Sequence, residues 1–172
     1  MSRQNVSFKE DRRGIAAVEF AITAPIVVFV LINVYDISSY ISQRMTVKTA
    51  TQAAAQAIWR TCDAAHIPAT TLCSSLNSAA TTAIQSTAFG NKITLVGTTE
   101  GYYCVNASNA LQYVSDVSQK PADCTSAGTP ALKPSDYIQV QTQFSYAPLF
   151  AASYAAKLFP TPITASAWMR LQ

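Results

Sequence analysis

At 172 residues the chain has room for one ordinary domain plus a membrane or targeting segment, and too little length for two full cores. Charged residues make up 12% of it and the formal net charge is +3, whereas soluble domains usually carry about a quarter charged residues. Arg44, Lys48, Arg60, Lys92, Lys120, Lys133, Lys157 and Arg170 stand singly, so no basic stripe follows a phosphate backbone and no nucleic-acid partner is expected.

The N-terminus is the exception to that scatter. Arg3, Lys9, Arg12 and Arg13 sit with Glu10 and Asp11 directly before residues 15 to 32, IAAVEFAITAPIVVFVLI. At ~1.5 Å per residue this run gives roughly 27 Å of helix, enough to cross a bilayer. The basic flank keeps residues 1 to 14 cytoplasmic and sends the remainder outward, so a single pass is expected. A cleavable secretory signal would end in small residues, but Asn33, Val34, Tyr35 and Asp36 follow instead. The length of the run and its basic flank also count against a buried helix of a soluble protein.

Glu19 is the only charge inside the run. A carboxylate one turn into a membrane helix costs at least ~2.5 kcal/mol on insertion scales and calls for a partner. No Lys, Arg or His lies in the same run. If the chain is cut between Gly14 and Ile15, Glu19 becomes the fifth residue of the product, and the new amino group of another subunit supplies the missing positive charge. The plainer alternative is a signal anchor whose acid snorkels or is protonated.

Apolar spacing continues through Ile37, Tyr40, Ile41, Met45, Lys48, the alanines at 50, 53, 54, 55 and 57, and Ile58, with no Gly or Pro between residues 26 and 67. One helix from Ile15 to about Arg60 is predicted, with Pro25 a site for a kink or local opening.

Residues 11 to 28, DRRGIAAVEFAITAPIVV, with Arg12, Arg13 and Gly14 closing a basic leader, Glu19 and Phe20 five and six places after Gly14, and Ala24 and Pro25 beyond, resemble the N-terminal motif of the TadE-like family of the tight-adherence (Flp) branch of type IV pili. The likeness extends from residue 9 to about 60, and ITASAWMRLQ at the C-terminus loosely resembles the family's closing strand. Residues 61 to 136 match no pattern of it. The resemblance implies a minor pilin or pseudopilin that takes part in assembling a pilus for surface attachment. It implies a bacterial inner-membrane protein with a periplasmic head, cut between Gly14 and Ile15 by an aspartic prepilin peptidase. Its implied partners are the inner membrane, that peptidase, the major pilin, other minor pilins and the pilus platform proteins. The implied architecture is α+β and pilin-like: a leader (1–14), a long helix (15–60, membrane-spanning at 15–32) and an exported head (61–172).

Within the head, Leu72, Leu76, Ala80, Ala83 and Ile84 fall on one side at helical spacing, predicting a second helix from Thr70 or Thr71 to Gly90. Lys92 to Thr98 and Gly101 to Asn106 read as two strands around a turn at Thr99 and Glu100. Tyr137 to Tyr146 alternates apolar with polar residues and reads as a strand with one wetted face. Residues 147 to 162 suggest a crossover or short helix before a last strand, Ile163 to Leu171, which is expected to pair with the preceding one. An antiparallel sheet of about four strands results.

Cys62, Cys73, Cys104 and Cys124 all follow the apolar run and suit two disulfides in an oxidising compartment. Three connectivities are open; Cys62 with Cys73 and Cys104 with Cys124 is preferred because each pair closes a short polar loop. These spacings and the single His66 do not suit zinc. Residues 107 to 136 read as a loop tied down by a disulfide, either a docking surface or a solvated connector. No phosphate loop, nucleophile elbow or metalloprotease motif is present, so neither an enzyme nor a cofactor is expected. Asn106 opens an N-x-S tripeptide that arises often by chance, and Trp59 and Trp168 are expected to cover core. The competing function is a membrane-anchored periplasmic binding or adhesion protein that is not incorporated in a filament.

Overall fold

The computed structural model describes residues 13 to 62, 67 to 150 and 157 to 171. Residues 1 to 12 of the leader, His66 and the segment 151 to 156 lie outside them. Seven main elements follow in order: α1 (Arg13–Thr61), α2 (Ala69–Leu72), α3 (Leu76–Gln85), β1 (Ile93–Val105), β2 (Leu111–Ser115), β3 (Ser135–Phe144) and β4 (Ile163–Arg170). The strands form an antiparallel sheet in the order β2-β1-β3-β4. The α+β architecture predicted from the sequence, one long apolar helix followed by a four-stranded sheet, is therefore present.

Two compact units make up the chain: Met1–Tyr40 with Ala147–Phe159, and Ile41–Tyr146 with Pro160–Gln172. In the first, the apolar half of α1 continues unbroken through Pro25. Among its later residues Tyr40 is buried and stacks on Phe159, with ring centroids 4.3 Å apart.

In the second unit the rest of α1 buries Val47, Ala50, Thr51, Ala54, Ala55 and Ile58, a stripe at three- and four-residue steps. Met45 and Ile41, which the apolar spacing placed on the packed side, are exposed because the true stripe is turned away from them. The threonines that lower helix propensity here are satisfied within α1: Thr46, Thr49 and Thr51 each donate to the carbonyl four residues back, at 3.0, 3.0 and 2.7 Å. Opposite the stripe, the inner sheet face buries Ile138, Val140, Thr142 and Phe144 of β3 and Ile163, Ala165 and Ala167 of β4. The pairing of the two C-terminal strands is observed in full, from Tyr137 opposite Arg170 to Phe144 opposite Ile163.

The single second helix is instead two pieces. Cys73 leaves the helical region (φ −94°, ψ 92°) where its sulfur is joined to Cys62, which ends α2; α3 then starts at Leu76 and stops at Gln85. Leu76, Ala80 and Ile84 are buried as expected, while Leu72, cut off from that face by the break, is 54% exposed. The strands before and after Glu100 are one strand of 13 residues, bulged between Leu95 and Gly97. Its hairpin partner is β2, inside the stretch read as a loop. The turn is organised by Asn106, whose side-chain oxygen accepts the Ser108 and Ala110 amides at 2.9 and 3.0 Å, with Asn109 left-handed at φ 58°. Trp59 and Trp168 do not cover core; they are 52% and 43% exposed.

Candidate functional site

Gly14, Ile15, Glu19 and Phe20 all lie in the first turns of α1 and are exposed. Ile15 and Glu19 are four residues apart, hence on the same helix face and one turn apart. A side chain added at Gly14 would meet nothing within 4 Å, so the fold places no steric demand for glycine there. The Thr23 hydroxyl donates to the backbone carbonyl of Glu19 at 3.0 Å and lies 3.3 Å from that of Phe20, leaving the Glu19 carboxylate outside this local bonding. Between Gly14 and Gln43 there is no Lys, Arg or His.

The helix Gly14–Thr61 contains an 18-residue apolar window with none of its residues buried, long enough to cross a membrane. Ile15, Phe20, Ile26, Leu31 and Val34 all present their side chains outward. A soluble helix this apolar would hide one stripe. Here the apolar surface runs all round, as a lipid solvent or a bundle of like helices requires. The next acid in α1, Asp36, is by contrast buried; the residue itself was visible after the apolar run, but nothing local marked it as buried.

Both preferred disulfides form, Cys62 to Cys73 and Cys104 to Cys124, each with Cα atoms 5.7 Å apart, and no described cysteine is free. The second holds the loop after β2 against β1, in a small cluster with Ala127 and Val114.

A group of acids in the head escaped the sequence reading. Glu100 points from the inner face of β1 to the start of α2, where its carboxylate accepts the Ala69 amide at 2.8 Å, the Thr70 amide at 2.7 Å and the Thr70 hydroxyl at 2.6 Å. It does the work of a helix cap that Pro68 does not do. Asp136, on β3 beside it, is buried, and neither of its oxygens has a hydrogen bond of ordinary length. Burial, followed by the nearby Glu100 carboxylate, pushes its pKa up to about 7, with Lys120 pulling the other way. Tyr102 shares this environment: burial first, then Asp136 and Glu100, raise its pKa, and the Lys120 ammonium sits 5.7 Å from its ring centre. The sequence reads Glu100 as part of a turn, whereas it lies inside the continuous strand Ile93–Val105.

The geometry defines a class: an α+β protein with one exposed, apolar N-terminal helix that fits membrane anchoring, and a disulfide-linked head. Residues 14–56 match the family model described as TadE-like protein. The resemblance to the TadE-like family read from Gly14, Glu19 and Phe20 is thus matched over this segment. No curated protein and no solved structure matches the chain.

Proposed function

We propose that the chain is a minor pilin or pseudopilin that takes part in assembling a tight-adherence (Flp) type IV pilus for surface attachment. The observation that carries this reading is an exposed apolar helix, TadE-like over residues 14–56, whose one membrane-depth acid has no cation on its own helix from Gly14 to Gln43. Before assembly the helix holds the protein in the bacterial inner membrane, N-terminus in the cytoplasm and head in the periplasm. The positive-inside flank supports that orientation.

A prepilin peptidase cuts between Gly14 and Ile15. Glycine at 14, for which the fold itself has no need, suits an enzyme that must close around the chain there. The amine made on Ile15 of one subunit then neutralises Glu19 of another, or of the major pilin, as the helices leave the membrane for the filament. Exchange of lipid for like helices keeps the apolar surface covered, and the charge pair sets the axial register. Platform proteins and other minor pilins are the remaining partners. In this reading the chain performs no chemistry of its own.

Two measurements test the proposal. Intact mass of the protein from its native membrane is expected to match a chain starting at Ile15. Glu19→Gln is expected to insert and be processed normally yet abolish piliation; wild-type piliation in that variant refutes the charge mechanism. A native mass that retains residues 1 to 14 favours instead a tethered periplasmic protein.

A further inference from the structure

The outer face of the sheet, turned away from the α1 stripe, has a composition that anchoring and assembly do not use. At one end four rings meet: Tyr103 lies edge-to-face with Tyr113, Tyr137 and Trp168 at 5.5, 5.9 and 5.0 Å between centroids. Trp168 and Tyr113 keep 43% and 54% of their surface exposed. From this cluster a row of amides, Gln139, Gln141 and Gln143, runs along β3, with Gln139 directly opposite Trp168 and Gln141 opposite Ser166. The outward positions of β1 beside Tyr137 and Gln141 are Gly101 and Gly97.

Gly97 raises no side chain beside Gln141, so the β1 side of the amide row is low there, whereas Thr99 stands beside Gln139 and the Tyr113 ring covers Gly101. A methyl on Gly101 would come within 2.8 Å of the Tyr113 ring, which lies over it, and one on Gly97 would meet open space. Next to this trough is a cavity of about 320 Å³ lined by Val96, the glutamines, Thr164 and Ser166, at the lower end of the roughly 300 to 1,000 Å³ usual for small-ligand sites. Arg170, opposite Tyr137 at the aromatic end of the face, is the sole charged residue on the outward positions of β1, β3 and β4, and none lies along the amide row.

We propose that this face binds an uncharged glycan. A pyranose ring offers a face of C–H groups that complements the negative face of an aromatic ring, and an edge of hydroxyls that both donate and accept. Glutamine amides do the same, each with two donors and an acceptor. The Thr99 hydroxyl, 3.3 Å from the Gln139 side-chain oxygen, orients that first amide. An anionic polymer would need cations along the row, where there are none. A dry protein interface would bury three glutamine side chains that the face does not pair with one another. The proposal stands whether or not the chain is incorporated in a filament.

The test uses the full chain in nanodiscs with Trp59→Phe, so that Trp168 is the one indole. Cello-, chito-, malto- and galacto-oligosaccharides are titrated against its fluorescence and, in parallel, by calorimetry. One of these series is expected to give saturable binding that is indifferent to salt. Gln141→Ala is expected to weaken it about tenfold, Trp168→Ala to abolish it, and Trp168→Phe to restore most of it, since a ring remains. Gln141 and Trp168 are exposed, and intact disulfides by mass confirm folding of each variant. No saturable binding at millimolar sugar overturns the proposal, as does calorimetric binding unchanged in Trp168→Ala. A Trp168 response that follows protein concentration and not sugar assigns the face to a second copy of the chain and equally overturns it.

Discussion

The hydroxyls of Thr51 on α1 and Thr142 on β3 lie 2.6 Å apart, both fully buried, and join the long helix to the centre of the sheet. Thr51 donates its own proton to the Val47 carbonyl at 2.7 Å, so Thr142 is the donor between them. Thr51→Val therefore strands a buried hydroxyl and is expected to destabilise the head by about 1–3 kcal/mol, whereas Thr51→Val with Thr142→Val removes both partners and costs much less. Urea denaturation of the two single variants and the double variant checks this; additive losses would show that the pair is not coupled.

Glu100 should behave as a structural acid. Glu100→Ala removes three charge-assisted bonds of 2.6 to 2.8 Å to Ala69 and Thr70, and is expected to cost about 1–3 kcal/mol. The loss should be local, with faster amide exchange at Ala69 and Thr70 while β3 amides stay protected. Uniform loss of protection would mean that the capping contact is not confined to α2.

How legible such features were depended on how far apart their parts lie in the chain. The membrane helix, the buried face of β3 and the β3–β4 pair were readable because their signals are periodic and local: Ile138, Val140, Thr142 and Phe144 alternate within one strand, and all are buried. Glu100 misled because an acid after two threonines looks like a turn, and the amides it serves are about 30 residues earlier. β2 was hidden in a segment whose polar, proline-containing composition is that of a loop. Its strand exists because the Asn106 turn folds Leu111 back onto Val105. The second helix was misjudged at Cys73, where cross-linking overrides helical spacing. For the assembly site the residues Gly14, Ile15, Glu19 and Phe20 were legible as a motif, but the aromatic and amide face was not, since Tyr103, Tyr113, Tyr137 and Trp168 come from four strands.

The two disulfides differ in what they restrain. Cys104→Ser with Cys124→Ser opens a loop of sequence separation 20 and Cys62→Ser with Cys73→Ser one of 11. Each is expected to lower head stability by about 2–5 kcal/mol, with the longer loop costing roughly 0.5 kcal/mol more on chain-entropy grounds. Thermal unfolding of both double variants without reductant measures the order. A larger loss from the 62–73 pair would show that native packing at the α2–α3 break, more than loop closure, sets the cost.

Asp136 makes the stability of the head depend on pH in a direction opposite to most carboxylates. Its pKa in the folded protein is about 7, against about 3.9 in an unfolded chain. Between those values the native state holds a proton that the unfolded state has lost. Stability therefore falls as pH rises from about 4 to 7, and levels off above that. The groups around it fix the sign: burial and the Glu100 carboxylate favour the protonated form and outweigh Lys120. Asp136→Asn keeps the shape of the neutral acid and is expected to flatten this part of the profile. At pH 8 it should make the head more stable than wild type by roughly 1 kcal/mol or more, since one pKa unit is worth about 1.4 kcal/mol. Denaturation midpoints at pH 5, 6, 7 and 8 for both proteins decide the matter; a wild-type profile that rises over this range would mean that Lys120 prevails and that Asp136 is ionised in the folded head.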